Sequence, residues 1–165
     1  MIWLRPINLA LGVLTVFAPM APVLELPNKL SLDGTLWLAV QQHLYRGWGP
    51  FLGGPTEIGA LATSLILAYV RRRSSTLRPT LIAATGYACM IVAFFFLNLP
   101  VNAAVESWTS TTLPSNWATY RLRWEAGHGI AALLALISLT ALIWTYAKEM
   151  SRDGPYDKGS ANAQC

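Results

Sequence analysis

The sequence predicts an all-α protein, a bundle of four transmembrane helices, and three observations carry that reading. Composition is the first: of 165 residues, 54% are hydrophobic and 12% charged, about half the ~25% charge of a soluble domain. The second is four apolar stretches, each near 20 residues long, the length at which a helix rising 1.5 Å per residue crosses ~30 Å of hydrocarbon. The third is the placement of basic residues on one side of those stretches. Together they disfavour a soluble enzyme, a nucleic-acid binder and a disordered chain.

Span one is expected at about 7–26, with Asn8, Thr15 and Glu25 as its only polar side chains. A cleaved signal peptide fits poorly, because both small-residue cleavage points, Ala18 and Ala21, precede proline and three more spans follow. Residues 27–50 place Leu36, Leu38, Val40 and Leu44 among polar neighbours, which predicts a short interfacial amphipathic helix between spans one and two. A Gly/Pro-rich turn then leads into span two, about 51–70, whose one charge is Glu57. Span three, about 80–101, carries no charge, and span four covers about 125–146. Leu61 to Val70 and Ala131 to Trp144 are apolar nearly all round, as lipid-facing helices are and soluble amphipathic ones are not. Between spans three and four, Trp108, Trp117 and Tyr120 are rings of the kind that sit at headgroup level. Residues 1–150 form one integral membrane domain, and 151–165 a polar cytoplasmic tail.

Four spans put Arg5, the Arg71–Arg78 loop, Lys148, Arg152 and Lys158 on one side, eight of the twelve Lys and Arg. Positive-inside bias makes that side, and both termini, cytoplasmic; in a bacterium the membrane is the inner one. The net charge of +4 is then a topology signal and calls for no nucleic acid. Cys89 and Cys165 have no metal-type or redox-type spacing.

The polar chemistry is predicted to collect in the outer half, where ionisable groups at membrane depth mark a site by default. His43 and Arg46 precede span two, and Glu57 falls about two turns inside it. Asn98, Asn102 and Glu106 are four apart and share a face if the helix survives Pro100, which frees the carbonyl of Phe96. Trp117, Arg121, Trp124, Glu125 and His128 form a second stripe, with Arg121 and Glu125 spaced to pair. Two stripes at one depth should face each other and, with Glu57 and His43, enclose a polar pocket. Phe94, Phe95, Phe96 and the Leu133–Leu142 segment should floor it. Competing structural readings exist. Asn98 and Asn102 serve equally as interhelical glue, His128 as a member of a buried network, and Glu125-x-x-His128 has the spacing of a helical metal-ligand pair.

The run Asn98-x-Pro100-x-Asn102, a Trp/Thr/Ser loop, then Trp117-x-x-x-Arg121-x-Arg123-Trp124-Glu125-x-x-His128 resembles the anthrone-oxygenase-like family of small integral membrane proteins. The earlier His43-Leu44-Tyr45-Arg46, Pro50 and Glu57 resemble it too, and the likeness covers roughly residues 7–147. It implies a four-helix membrane protein. Some members oxidise anthrones to anthraquinones with molecular oxygen and no established metal or flavin, while many have no assigned activity. On matching positions it points to Asn98, Asn102, Arg121, Trp124, Glu125 and His128.

Anthrone oxidation needs a base to remove an acidic C–H proton, donors where the enolate charge develops, and a dry slot for a flat ring. His128 or Glu57 suits the base, and Arg121, Asn98 and Asn102 suit the donors. Trp124 is expected to stack on the substrate, with Glu125 and His43 completing the binding site. The expected activity is therefore an oxygenase without cofactor acting on a hydrophobic aromatic small molecule. The alternative is a binding or accessory protein that holds a lipid, quinone or metal without turnover. A transporter fits less well, because a conduit needs polar groups in both halves.

Overall fold

A computed structural model describes residues 3–152. It contains α1 (Leu4–Leu30), α2 (Gly34–His43), α3 (Gly54–Val70), α4 (Leu77–Ala93), α5 (Leu99–Ser107) and α6 (Trp117–Arg152). A π-helical turn, Gly49–Gly53, leads into α3, and another, Phe94–Asn98, joins α4 to α5. Four continuous helical rods result: Leu4–Leu30, Gly49–Val70, Leu77–Ser107 and Trp117–Met150, each long and apolar enough to cross a membrane. The chain is an integral, multi-pass membrane protein.

Every rod runs past the apolar stretch that defines it. Hydropathy falls where charges and prolines begin, but backbone hydrogen bonding continues beyond that point. Thus α1 has 27 residues despite Pro19, Pro22 and Pro27. Each rod packs against the next, and α6 closes the ring against α1. The centre is built from Ala60, Ala83, Tyr87, Met90, Ala135 and Leu142. Small residues bring backbones together, as lipid-embedded helices require. At Gly86 a Cβ would run into the Ser138 side chain, so this glycine sets how closely α4 and α6 approach. Larger apolar side chains such as Phe17, Ile58, Ile82, Leu133 and Ile143 stay on the outside.

Phe95 and Phe96 belong to that outside, 57% and 70% exposed, and only Phe94 of the three faces inward as expected. The π turn supplies the reason: it carries Asn98 inward, so the residues between Phe94 and Asn98 fall on the lipid side.

The short helix α2 starts at Asp33, whose carboxylate accepts the Leu36 N–H at 2.9 Å, an N-cap. Of its leucines only Leu38 lies on the buried face. Leu36 and Leu44 are exposed, whereas Trp37, Leu38 and Gln41 are buried. Trp37 and Leu38 dock onto Val101, Val105 and Trp124, with Trp108, Trp117 and Tyr120 packed around them. Those three rings therefore wall a small aromatic core as well as lying at the rod ends.

Arg5 and Glu149 pair at 2.7 Å, with Arg71 at 3.7 Å, so the start of α1, the α3–α4 loop and the end of α6 share one end. We call it the arginine end. Residues 153–165 of the expected tail, with Lys158 and Cys165, lie outside the described residues.

Candidate functional site

The opposite end is hollow. A cavity of about 1170 Å³ opens between α1, α2, α3, the second π turn, α5 and α6, above the ~300–1,000 Å³ of most small-molecule sites. Each wall follows from a local backbone event. On α1, Pro19 and Pro22 deprive the carbonyls of Thr15 and Ala18 of their helical donors, and Thr15, Ala18 and Pro19 all line the cavity. Gly47, at φ +88°, turns the chain from α2 toward α3, and the Trp48–Gly54 segment forms the rim. The Phe94–Asn98 π turn, a distortion that recurs at functional sites, precedes Pro100. The carbonyl that Pro100 frees, Phe96 O, accepts from Arg123 Nη2 at 2.6 Å.

Of the expected site residues, His43, Glu57, Asn98, Asn102, Trp124 and His128 line this one cavity, and Glu106 joins them. Glu57 makes no hydrogen bond or ion pair among the described residues. Asn98 and His128 are tied together: Asn98 Nδ2 lies 3.0 Å from Trp124 O and 2.7 Å from His128 Nδ1, and that ring nitrogen lies 2.9 Å from the same carbonyl. A neutral imidazole satisfies one of its two contacts at a time. With Nδ1–H donating to Trp124 O, Nε2 keeps a lone pair; with Nδ1 accepting from Asn98, Nε2 carries the proton. Gly127 makes room for this arrangement, because a Cβ there would overlap the Asn98 carboxamide.

Trp124 is the hub. Its Nε1–H donates to Asn102 Oδ1 at 2.9 Å. An indole N–H only donates, so the bond fixes the Asn102 amide with Oδ1 toward Trp124 and leaves Nδ2 as a donor without a partner. The indole is itself covered, 3% exposed, with His128 at 3.9 Å and Tyr45 at 5.0 Å between ring centroids. It therefore positions neighbours, and the expected open stacking platform is not there. Trp48, Phe51 and Phe94 are cavity-lining rings available to a flat ligand.

Arg121 and Glu125 stand apart from the cavity. The expected pair between them is not formed, because each has a better partner on α1. Glu125 is bridged by Lys29 at 2.9 and 3.1 Å, both side chains buried, and the ammonium sits 4.8 Å from the Trp124 ring centre and 5.1 Å from that of Tyr45. The Tyr45 hydroxyl donates to Glu25. Arg121 donates to the carbonyls of Lys29 and Leu32 at 3.2 and 3.1 Å, at and just beyond the end of α1, where carbonyls lose their i+4 helical donors, and stacks on Trp117. Arg121 is thus a helix cap, unavailable to an enolate. His128 lines the cavity while Glu125 lies in the ion pair outside it, so Glu125-x-x-His128 does not converge. Among the described residues no three His, Cys, Asp or Glu side chains are grouped to hold a metal ion.

Polar side chains also cluster at the arginine end, contrary to the expectation of one polar half. Asn8 donates to Thr63 and Ser64 at 2.8 and 2.9 Å and accepts from Tyr146 at 2.7 Å. Thr76 donates to Glu149 at 3.1 Å. The void beside this end measures about 10 Å³.

Sequence reasoning passed over Lys29, Tyr45 and Gln41. Lys29 lies beyond the expected end of span one, but its charge two residues after Pro27 was a usable signal. No family profile, curated protein or solved structure matches the chain.

Proposed function

We propose that this protein is a membrane oxygenase that needs no cofactor and oxidises a flat, hydrophobic aromatic ketone of the anthrone type in the hollow end of the bundle. Positive-inside bias then sets the arginine end in the cytoplasm, with both termini, and opens the cavity outward. One observation carries the reading. Glu57, a carboxylate within a membrane span, faces a large cavity with no protein partner, alongside the free Asn102 amide and His128. A carboxyl group without a protein partner at this depth is costly, and such a group marks a functional site by default.

The chemistry follows from these groups. The Glu57 carboxylate takes a proton from the ring methylene, and the electron pair moves onto the ketone oxygen, where Asn102 Nδ2–H donates to the developing charge. The carbanion passes electrons to molecular oxygen, a C–O bond forms, and the Glu57 proton goes to the terminal peroxide oxygen. Removal of the second methylene proton by Glu57 then breaks the O–O bond. The carbon becomes a carbonyl and the departing hydroxide takes the proton as water. Anthrone plus one oxygen gives anthraquinone plus one water.

Oxygen uptake by purified protein in nanodiscs supplied with anthrone tests this. Uptake of one oxygen per anthrone, above the rate in empty nanodiscs, is expected. Binding of anthrone with no uptake above that background overturns catalysis and leaves a binding or accessory protein.

A further inference from the structure

Gln41 and Gln42 are neighbours on α2 with opposite fates. Gln42 Nε2 donates to the carbonyls of Val105 and Trp108 at 2.8 and 2.9 Å, which clamps α2 onto α5. Gln41 is 7% exposed, lines the cavity, and its Nε2 has no hydrogen-bond partner. A buried amide left unpaired is destabilising, so such groups are rare unless something else satisfies them. Its anchored neighbour holds the helix, and therefore the Gln41 backbone, in place. A half-turn about the terminal torsion exchanges N–H₂ and C=O, so the amide can present a donor to whatever fills the cavity.

We propose that Gln41 is the specificity-determining residue of the cavity: its amide donates to an oxygen acceptor on the occupant and separates oxygenated rings from plain hydrocarbons of the same shape. The assignment rests on the reading of the cavity as a site for a flat aromatic molecule. Gln41 touches substrate from the α2 side, whereas Asn102 reaches it from α5. Removing the amide changes which rings bind without changing the apolar contacts that every ring makes.

Matched probes test this. Anthracene and 9,10-anthraquinone share three fused rings, and only the quinone has carbonyl acceptors. Binding is followed by quenching of tryptophan fluorescence in nanodiscs, with partition into empty nanodiscs subtracted. The parent is expected to prefer the quinone about tenfold for each well-placed hydrogen bond, one from Gln41 and one from Asn102. In Gln41→Met, and in Gln41→Glu, which replaces the donor with an acceptor, that preference falls about tenfold while anthracene affinity holds. A preference unchanged in both variants overturns the Gln41 assignment and leaves the cavity reading standing. Loss of anthracene binding along with quinone binding makes Gln41 a packing residue and overturns it too. Failure of the parent to bind either probe removes the cavity reading itself.

Discussion

At the arginine end, Asn8 gives both amide hydrogens to Thr63 and Ser64 and takes the Tyr146 hydroxyl on its oxygen. Glu149 is shared by Arg5, Arg71 and Thr76. Donors and acceptors there largely match one another, and the adjoining void of about 10 Å³ has room for at most a single water. At the other end Glu57, Gln41 Nε2 and Asn102 Nδ2 are left over around about 1170 Å³. Both ends bury polar groups in apolar surroundings, so polarity at membrane depth does not by itself identify a site. The distinguishing quantity is unspent hydrogen-bonding capacity facing space. One end is a closed interhelical joint, the other an open chamber. The same contrast answers the transporter reading: polar groups do occur in both halves, but those at the arginine end bond to each other and line no passage.

The sharpest way to break the comparison is Glu57→Gln. It keeps shape and removes the base, so oxygen uptake with anthrone should fall about 10²- to 10⁴-fold with thermal unfolding unchanged; an unaffected rate denies the open end its chemistry. Next in size is the ion pair behind Trp124, outside the cavity. Lys29→Met strands Glu125 among Trp124 and Tyr45 and should cost about 3–5 kcal/mol in unfolding experiments, whereas Lys29→Met with Glu125→Met should recover most of it. If the double variant is as weak as the single, the pair is more than a mutually compensating buried contact. Gly127→Ala pushes a methyl into Asn98; overpacking should cost about 1–3 kcal/mol in unfolding experiments, with His128 losing its Asn98 contact and keeping the Trp124 carbonyl. The smallest effect belongs to the closed end. Tyr146→Phe removes one interhelical hydrogen bond, worth about 0.6 kcal/mol, and should leave turnover untouched. A drop in turnover would show that the two ends are coupled.

The span count was legible because lipid demands apolar side chains all round a helix, a signal that local composition carries in full. The cavity-lining stripe Asn98–Asn102–Glu106 was legible for a related reason: a period of four survives Pro100 and the π turn. Partner choice was not. Asn8 and Tyr146 are 138 positions apart, and nothing local tells an asparagine that closes a joint from one that faces a chamber. Arg121 and Glu125 have the spacing of a helical pair, but α1 continues past Pro27 and brings the Lys29 ammonium and the carbonyls of the helix end to them. Span ends judged by hydropathy conceal that reach. Which face of α2 is buried was not legible: Trp37, larger than any of its leucines, anchors the helix and turns Gln41 inward.

Cysteine accessibility tests most directly whether one end is an open chamber and the other closed. In a protein with Cys89 and Cys165 replaced by serine, Ala131→Cys places a thiol on the cavity wall and Ser64→Cys one in the closed joint. A small water-soluble thiol reagent should modify position 131 and spare position 64, and 9,10-anthraquinone should slow the reaction at 131. Equal labelling at the two positions, or labelling at 131 that anthraquinone leaves unchanged, would contradict the account.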